Sequence, residues 1–124
     1  MSESNVELVR RGYEAVMRGD LDVIAEILDP DVKWHAGDPT AGYACHNRQQ
    51  AVAFMRRNWL RRGAPPGELV DMIDAGDKVV LIMRRTGEDG GPELVANLTT
   101  FRNGKVIEMV HYPNPDDARA AAGV

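Results

Sequence analysis

The sequence predicts an α+β domain: a curved mixed or antiparallel sheet packed on three helices from the N-terminal half, with a short C-terminal helix. Three observations predict it. Through the first half, apolar residues recur at steps of three and four, the period of a helix with one buried stripe. The second half switches to short apolar runs separated by turns rich in Gly, Asp and Asn, the pattern of a strand meander. Helices gathered ahead of a run of strands pack on one face of the sheet, and a curved sheet closed on one side by helices leaves a concave space suited to a ligand.

Each element has a local cause. Ser4 and Glu7 form an S-x-x-E capping box, and Val6, Val9, Tyr13 and Val16 then mark one buried stripe. Gly19 is a natural helix stop and Asp20 a natural N-cap for a second helix, with Leu21, Ile24, Ala25 and Leu28 inward, ended by Asp29-Pro30-Asp31. Val32 to His35 reads as a short strand and Ala36 to Tyr43 as a loop. Asn47 with Gln50 repeats the capping logic and opens a helix from Arg48 to Arg62 that buries Ala51, Val52, Met55 and Trp59, stopped by residues 63–67. Strands are expected at Leu69 to Ile73, Lys78 to Arg85, Leu94 to Phe101 and Lys105 to Tyr112. Asn114 caps a last helix with Pro115 in its first position.

Composition narrows the function. With 124 residues, 44% of them hydrophobic, the chain reads as one domain over residues 1–124 that folds without disulfides or metal. Cys45 is the sole cysteine, so no intrachain bridge exists and a reducing, cytoplasmic setting is the expectation. The N-terminal residues lack the basic start and apolar stretch of a signal peptide, and no apolar run approaches the ~20 residues that span a bilayer. Fifteen basic against 19 acidic residues give a net charge of -4, which argues against nucleic acid or an anionic membrane as a partner. Arg56, Arg57, Arg61 and Arg62 fall at helical spacing and read as a solvated face.

Three segments carry a family resemblance: Tyr13-Glu-Ala-Val-Met-Arg-Gly-Asp20 leading to Leu28-Asp-Pro-Asp-Val-Lys-Trp34-His35, Asn47-Arg-Gln-Gln-Ala-Val-Ala-Phe54, and Thr100-Phe-Arg-Asn-Gly-Lys-Val-Ile-Glu108 running on to Tyr112. In order and spacing the chain resembles the nuclear transport factor two-like superfamily, in its SnoaL-like polyketide cyclase and ketosteroid isomerase-like branch. The resemblance implies a cone-shaped, cystatin-like roll around a pocket for a small, largely apolar molecule, and a homodimer. It implies site positions too. The isomerase base falls near Ala36, with Asp38 two residues on. The isomerase oxyanion aspartate, a carboxylic acid kept protonated by its apolar site, falls on Asn97, and the tyrosine lies within one residue of Tyr13. The acid or base of the closing strand in the hydrolase and cyclase branches falls on His111, and the hydrolase arginine on Arg84, with Thr86 where a second carboxylate would stand.

The residues themselves support His111. Strand alternation puts Ile107, Met109 and His111 on one face, and an imidazole titrates near pH 6.5, in the range useful for proton transfer. The expected site is therefore catalytic His111, Asn97 and Tyr13, lined by Trp34, His35, Asp38, Met55, Trp59, Arg84 and Met109. His35, Asp38, His46 and His111 match no standard zinc spacing, so neither metal nor cofactor is expected. If the domain is catalytic, its chemistry is cofactor-independent acid/base work of isomerase, cyclase, lyase or hydrolase type; the alternative is a non-catalytic binding or dimerisation domain.

Overall fold

The computed structural model describes residues 4–35, 45–62, 68–87 and 89–124, the side chains of residues 58–62 excepted. The first helix, α1 (Asn5–Arg18), starts where the Ser4 hydroxyl accepts the Glu7 N–H at 3.2 Å. It stops at Gly19, whose φ of 75° turns the amides of Gly19 and Asp20 back onto the carbonyls of Val16 and Ala15 at 3.0 and 2.8 Å. The Asp20 carboxylate then accepts the Val23 N–H and opens α2 (Leu21–Ile27).

From α2 the chain passes directly into β1 (Leu28–His35), so Leu28 begins a strand instead of ending a helix, four residues ahead of the expected start at Val32. The Asp29-Pro30-Asp31 signal is still felt. The β1–β5 ladder is interrupted between Leu28 and Lys33, and the Asp29 carboxylate accepts the Asp31 N–H at 2.9 Å. Pro30 is tolerated because β1 is an edge strand.

Helix α3 (Arg48–Arg62) is capped from both sides. Asn47 Oδ1 accepts the Gln50 N–H, and Gln50 Oε1 reaches back to accept the His46 N–H, each at 2.8 Å. The strands β2 (Glu68–Asp74), β3 (Lys78–Thr86), β4 (Pro92–Arg102) and β5 (Lys105–Tyr112) form an antiparallel meander, and α4 (Pro115–Ala122) follows. Asn103 and Gly104, with φ of 53° and 75°, close the β4–β5 hairpin. The sheet order is β1-β5-β4-β3-β2, with β1 parallel to β5, which makes the sheet mixed.

Two bulges shape the sheet. Phe101 pairs with Val106 and Thr100 with Glu108, leaving Ile107 as an extra residue on β5. Likewise Val70 is extra on β2 between Leu69, opposite Met83, and Asp71, opposite Ile82. Each raises the local twist and bends its strand. Strict alternation along β5 thus fails at Ile107: Val106, not Ile107, joins the core beneath the helices, while Met109 and His111 keep their inward phase.

The two faces of the sheet have separate cores. Helices α1, α2 and α3 cover Val79, Leu81, Met83, Val95, Phe101 and Val106 on the inner face. On the outer face α4 sets Ala118 against Val80, Ile82, Ala96 and Leu98. No helix among the described residues is long and apolar enough to cross a membrane.

Candidate functional site

The antiparallel β4–β5 ladder sets His111 directly opposite Asn97. Directly opposed residues share a face, and the face is the inner one, because the alternating neighbours Thr99 and Met109 are paired in the same ladder and Met109 packs on the helix-covered core. Burial, helped by the Arg85 guanidinium and opposed by the Glu93 carboxylate, holds the His111 imidazole below its ordinary value of 6.5. The ring is therefore neutral at neutral pH, with one nitrogen available as a base. Beside it, Asn97 Oδ1 is buried with no hydrogen-bond donor from the described residues. A buried acceptor without a donor is costly unless a ligand or water completes it.

Trp34 enters the same face from the sheet edge, as the register partner of Met109, and its ring meets Phe54 of α3 edge-on at 5.1 Å. Met55 is buried in the inner core at 4% exposure. His111, Asn97, Trp34, Met55 and Met109 thus all lie on the helix-covered side of the sheet.

Three expected site residues are placed differently. His35 follows Trp34 in an extended strand and so faces the other way; it pairs in register with Val110, and its Nε2 lies 3.4 Å from Glu108 Oε2. Arg84 lies in register between Glu68 and Leu94 on the outer face, with Glu68 3.6 Å away, whereas Arg85 takes the inward position opposite Glu93. Tyr13 packs on the inner core from α1, but its hydroxyl oxygen accepts the Leu69 N–H at 3.0 Å on β2, three strands from His111. Asp38 and the side chain of Trp59 lie outside the described residues. Glu93 carries no signal in the sequence; of the adjacent Arg84 and Arg85, one inward and one outward, the parity that places Leu81 and Met83 inward selects Arg85.

Among the described residues no group of three or more His, Cys, Asp or Glu side chains is placed to hold a metal ion. Cys45 is buried beside Trp34, their backbones exchanging hydrogen bonds at 3.1 and 3.3 Å, and burial pushes its thiol up despite Arg57.

Helices packed on one face of a curved, five-stranded mixed sheet make this the cystatin-like, nuclear transport factor two-like fold. Residues 9–109 match the SnoaL-like domain, and the chain belongs to that family of the nuclear transport factor two-like superfamily. No curated protein matches the sequence. Among solved structures, Bal32a from a soil-derived mobile gene cassette is 30% identical, with a TM-score of 0.73 over 87% of each chain. TerC, crystallised with polyporic acid, is 19% identical and matches over 97% of this chain and 98% of its own with a TM-score of 0.71. A candidate polyketide cyclase from Sinorhizobium meliloti is 16% identical, covering 85% and 93%, with a TM-score of 0.70.

Proposed function

We propose that this SnoaL-like domain binds a small, hydrophobic, carbonyl-bearing molecule between its helices and sheet, and that His111 moves a proton on it. The carrying observation is the cross-strand pair of a neutral imidazole and a buried, donorless Asn97 Oδ1 on the helix-covered inner face. Two acceptors side by side suit the enol form of a carbonyl compound. His111 takes a proton from the carbon next to the carbonyl and, as the imidazolium so formed, returns it to the carbonyl oxygen, and Asn97 Oδ1 accepts the hydrogen of the resulting enol hydroxyl. Trp34, Met55 and Met109 supply the apolar walls. Isomerase, cyclase and dehydratase reactions all pass through such a step. TerC, of the same fold, was crystallised with polyporic acid, and the Sinorhizobium protein is described as a polyketide cyclase candidate, in keeping with this reading.

The test is a thermal-shift screen against enolisable ketones, phenols and polyketide-like compounds, followed by turnover assays with His111→Ala. A stabilising ligand that is turned over by the native protein and bound but left unreacted by the variant supports the proposal. Unchanged turnover in the variant refutes the proton role.

A second reading is a non-catalytic binding domain that acts as a homodimer in the cytoplasm. It is favoured by the absence of a carboxylate at Asn97 and Thr86 and by Leu94, 46% exposed on the outer face. A dimer on sizing, with no ligand response in the screen, would select it.

A further inference from the structure

The two edges of the sheet are closed in different ways. At β1 the chain covers its own edge, Cys45 exchanging backbone hydrogen bonds with Trp34 at 3.1 and 3.3 Å. Beyond β2 no strand lies among the described residues, so its outward N–H and C=O groups form a row that another strand could pair with.

Two of those outward donors are already taken. The Ala75 N–H reaches the Lys78 carbonyl at 2.9 Å where the β2–β3 hairpin turns, so antiparallel alternation aims the Met72 N–H away from β3, opposite Leu81. It donates to Asp71 Oδ1 at 2.9 Å, a side chain of its own strand standing where a further strand would. The Leu69 N–H donates to the Tyr13 hydroxyl at 3.0 Å, and the other end of α1 is tied to the same hairpin, the Asn5 amide donating to the Gly76 carbonyl at 3.0 Å. Between the two taken donors lies the Val70 bulge, which twists the strand away from a flat template.

Charge acts in the same direction. Strand β2 carries Glu68, Asp71 and Asp74 and no basic residue. A second copy paired antiparallel over the whole strand sets Asp71 against Asp71 and Glu68 against Asp74, like charges directly opposed. Arg84, 3.6 Å from Glu68, offsets one end only.

We infer that the free edge of β2 is a closed pairing surface for a second copy of this chain, and that Asp71 is its lock. The carboxylate occupies the Met72 donor, and its charge opposes the same residue of the incoming strand. A two-fold antiparallel edge pairs with itself, so removing the lock exposes a surface that needs no other partner.

Sedimentation velocity over a concentration series tests this with two variants at the exposed position 71. Asp71→Val favours the strand and removes both carboxylate and charge; Asp71→Asn removes the charge but keeps an oxygen for the Met72 N–H. Asp71→Val is expected to assemble beyond the native state with self-association about tenfold tighter, and Asp71→Asn by less. Hydrogen exchange locates the contact: as the Asp71→Val concentration rises, residues 68–74 should gain protection while the rest of the sheet is unchanged. Sedimentation of Asp71→Val like the native protein overturns the inference, as does association that protects a different segment or strips protection from the core. Equal association by the two variants overturns the part assigned to the Met72 hydrogen bond.

Discussion

Tyr13 is the residue at which a catalytic and an architectural role are most sharply opposed. Its hydroxyl oxygen accepts the Leu69 N–H at 3.0 Å, at the position just before the Val70 bulge, and so ties α1 to the sheet edge. Tyr13→Phe keeps the ring in the inner core and removes the hydroxyl that serves Leu69. Stranding a buried donor costs about 1–3 kcal/mol; because Leu69 is only half-buried and water can partly serve it, about 1–2 kcal/mol is expected. Unfolding entropy near 2.1 cal/mol/K per residue, over 124 residues, amounts to about 0.26 kcal/mol/K, so each kcal/mol moves Tm by about 4 °C. The variant should melt about 4–8 °C lower in a calorimetric scan, while the affinity for any ligand found in the screen changes little. A melting temperature within about 1 °C of native, with ligand affinity or turnover lost, would refute the architectural assignment and return Tyr13 to the chemistry.

Two further expectations concern His111 and the glycines of α1. Because folding depresses the His111 pKa, the unfolded chain binds a proton that the folded chain resists. The resulting stability is present in full above the ordinary value of 6.5 and is lost as the pH falls from there toward the depressed folded value. Urea unfolding across that window should show a smaller acid-side loss in His111→Gln than in the native protein; identical slopes would contradict the burial argument. Gly19→Ala and Gly12→Ala should move stability in opposite directions, as read by melting temperature. Gly19 has a φ of 75° and open space around it, so alanine there costs about 1–2 kcal/mol of pure backbone strain. In the interior of α1 a Cβ on Gly12 meets only Ile27 Cδ1 at an ordinary 3.7 Å, so alanine gains about 0.5–1 kcal/mol of helix stability.

Local chemistry made most of the elements legible. Ser4, Asp20, Asn47 and Asn114 each cap a helix through a side-chain oxygen, and each contact lies within three residues in sequence. The Asn103-Gly104 turn and the inward phase of Met109 and His111 are short-range facts of the same kind. The start of β1 was hidden because Asp29-Pro30-Asp31 is a breaker in sequence but sits within an edge strand, where an interrupted ladder and a proline are tolerated.

The positions that went astray share one cause. Which residue of an adjacent pair faces the cup depends on register, and register depends on partners far away in the chain. Trp34 and His35 cannot both point inward from an extended strand, and only the pairing of Trp34 with Met109 and of His35 with Val110 says which one does. Arg84 and Arg85 are separated in the same way by Leu94 and Glu93. The bulges at Val70 and Ile107 shift the count by one on two strands, and the tie between Tyr13 and Leu69 spans 56 residues. Sequence by itself determined the helices, the turns, the meander and the phase of His111, because those follow from periodicity and capping within a few residues. The tertiary structure alone decided which charged groups lie within reach of that imidazole, Arg85 and Glu93, because side chains are brought together there by strand pairing and not by proximity along the chain.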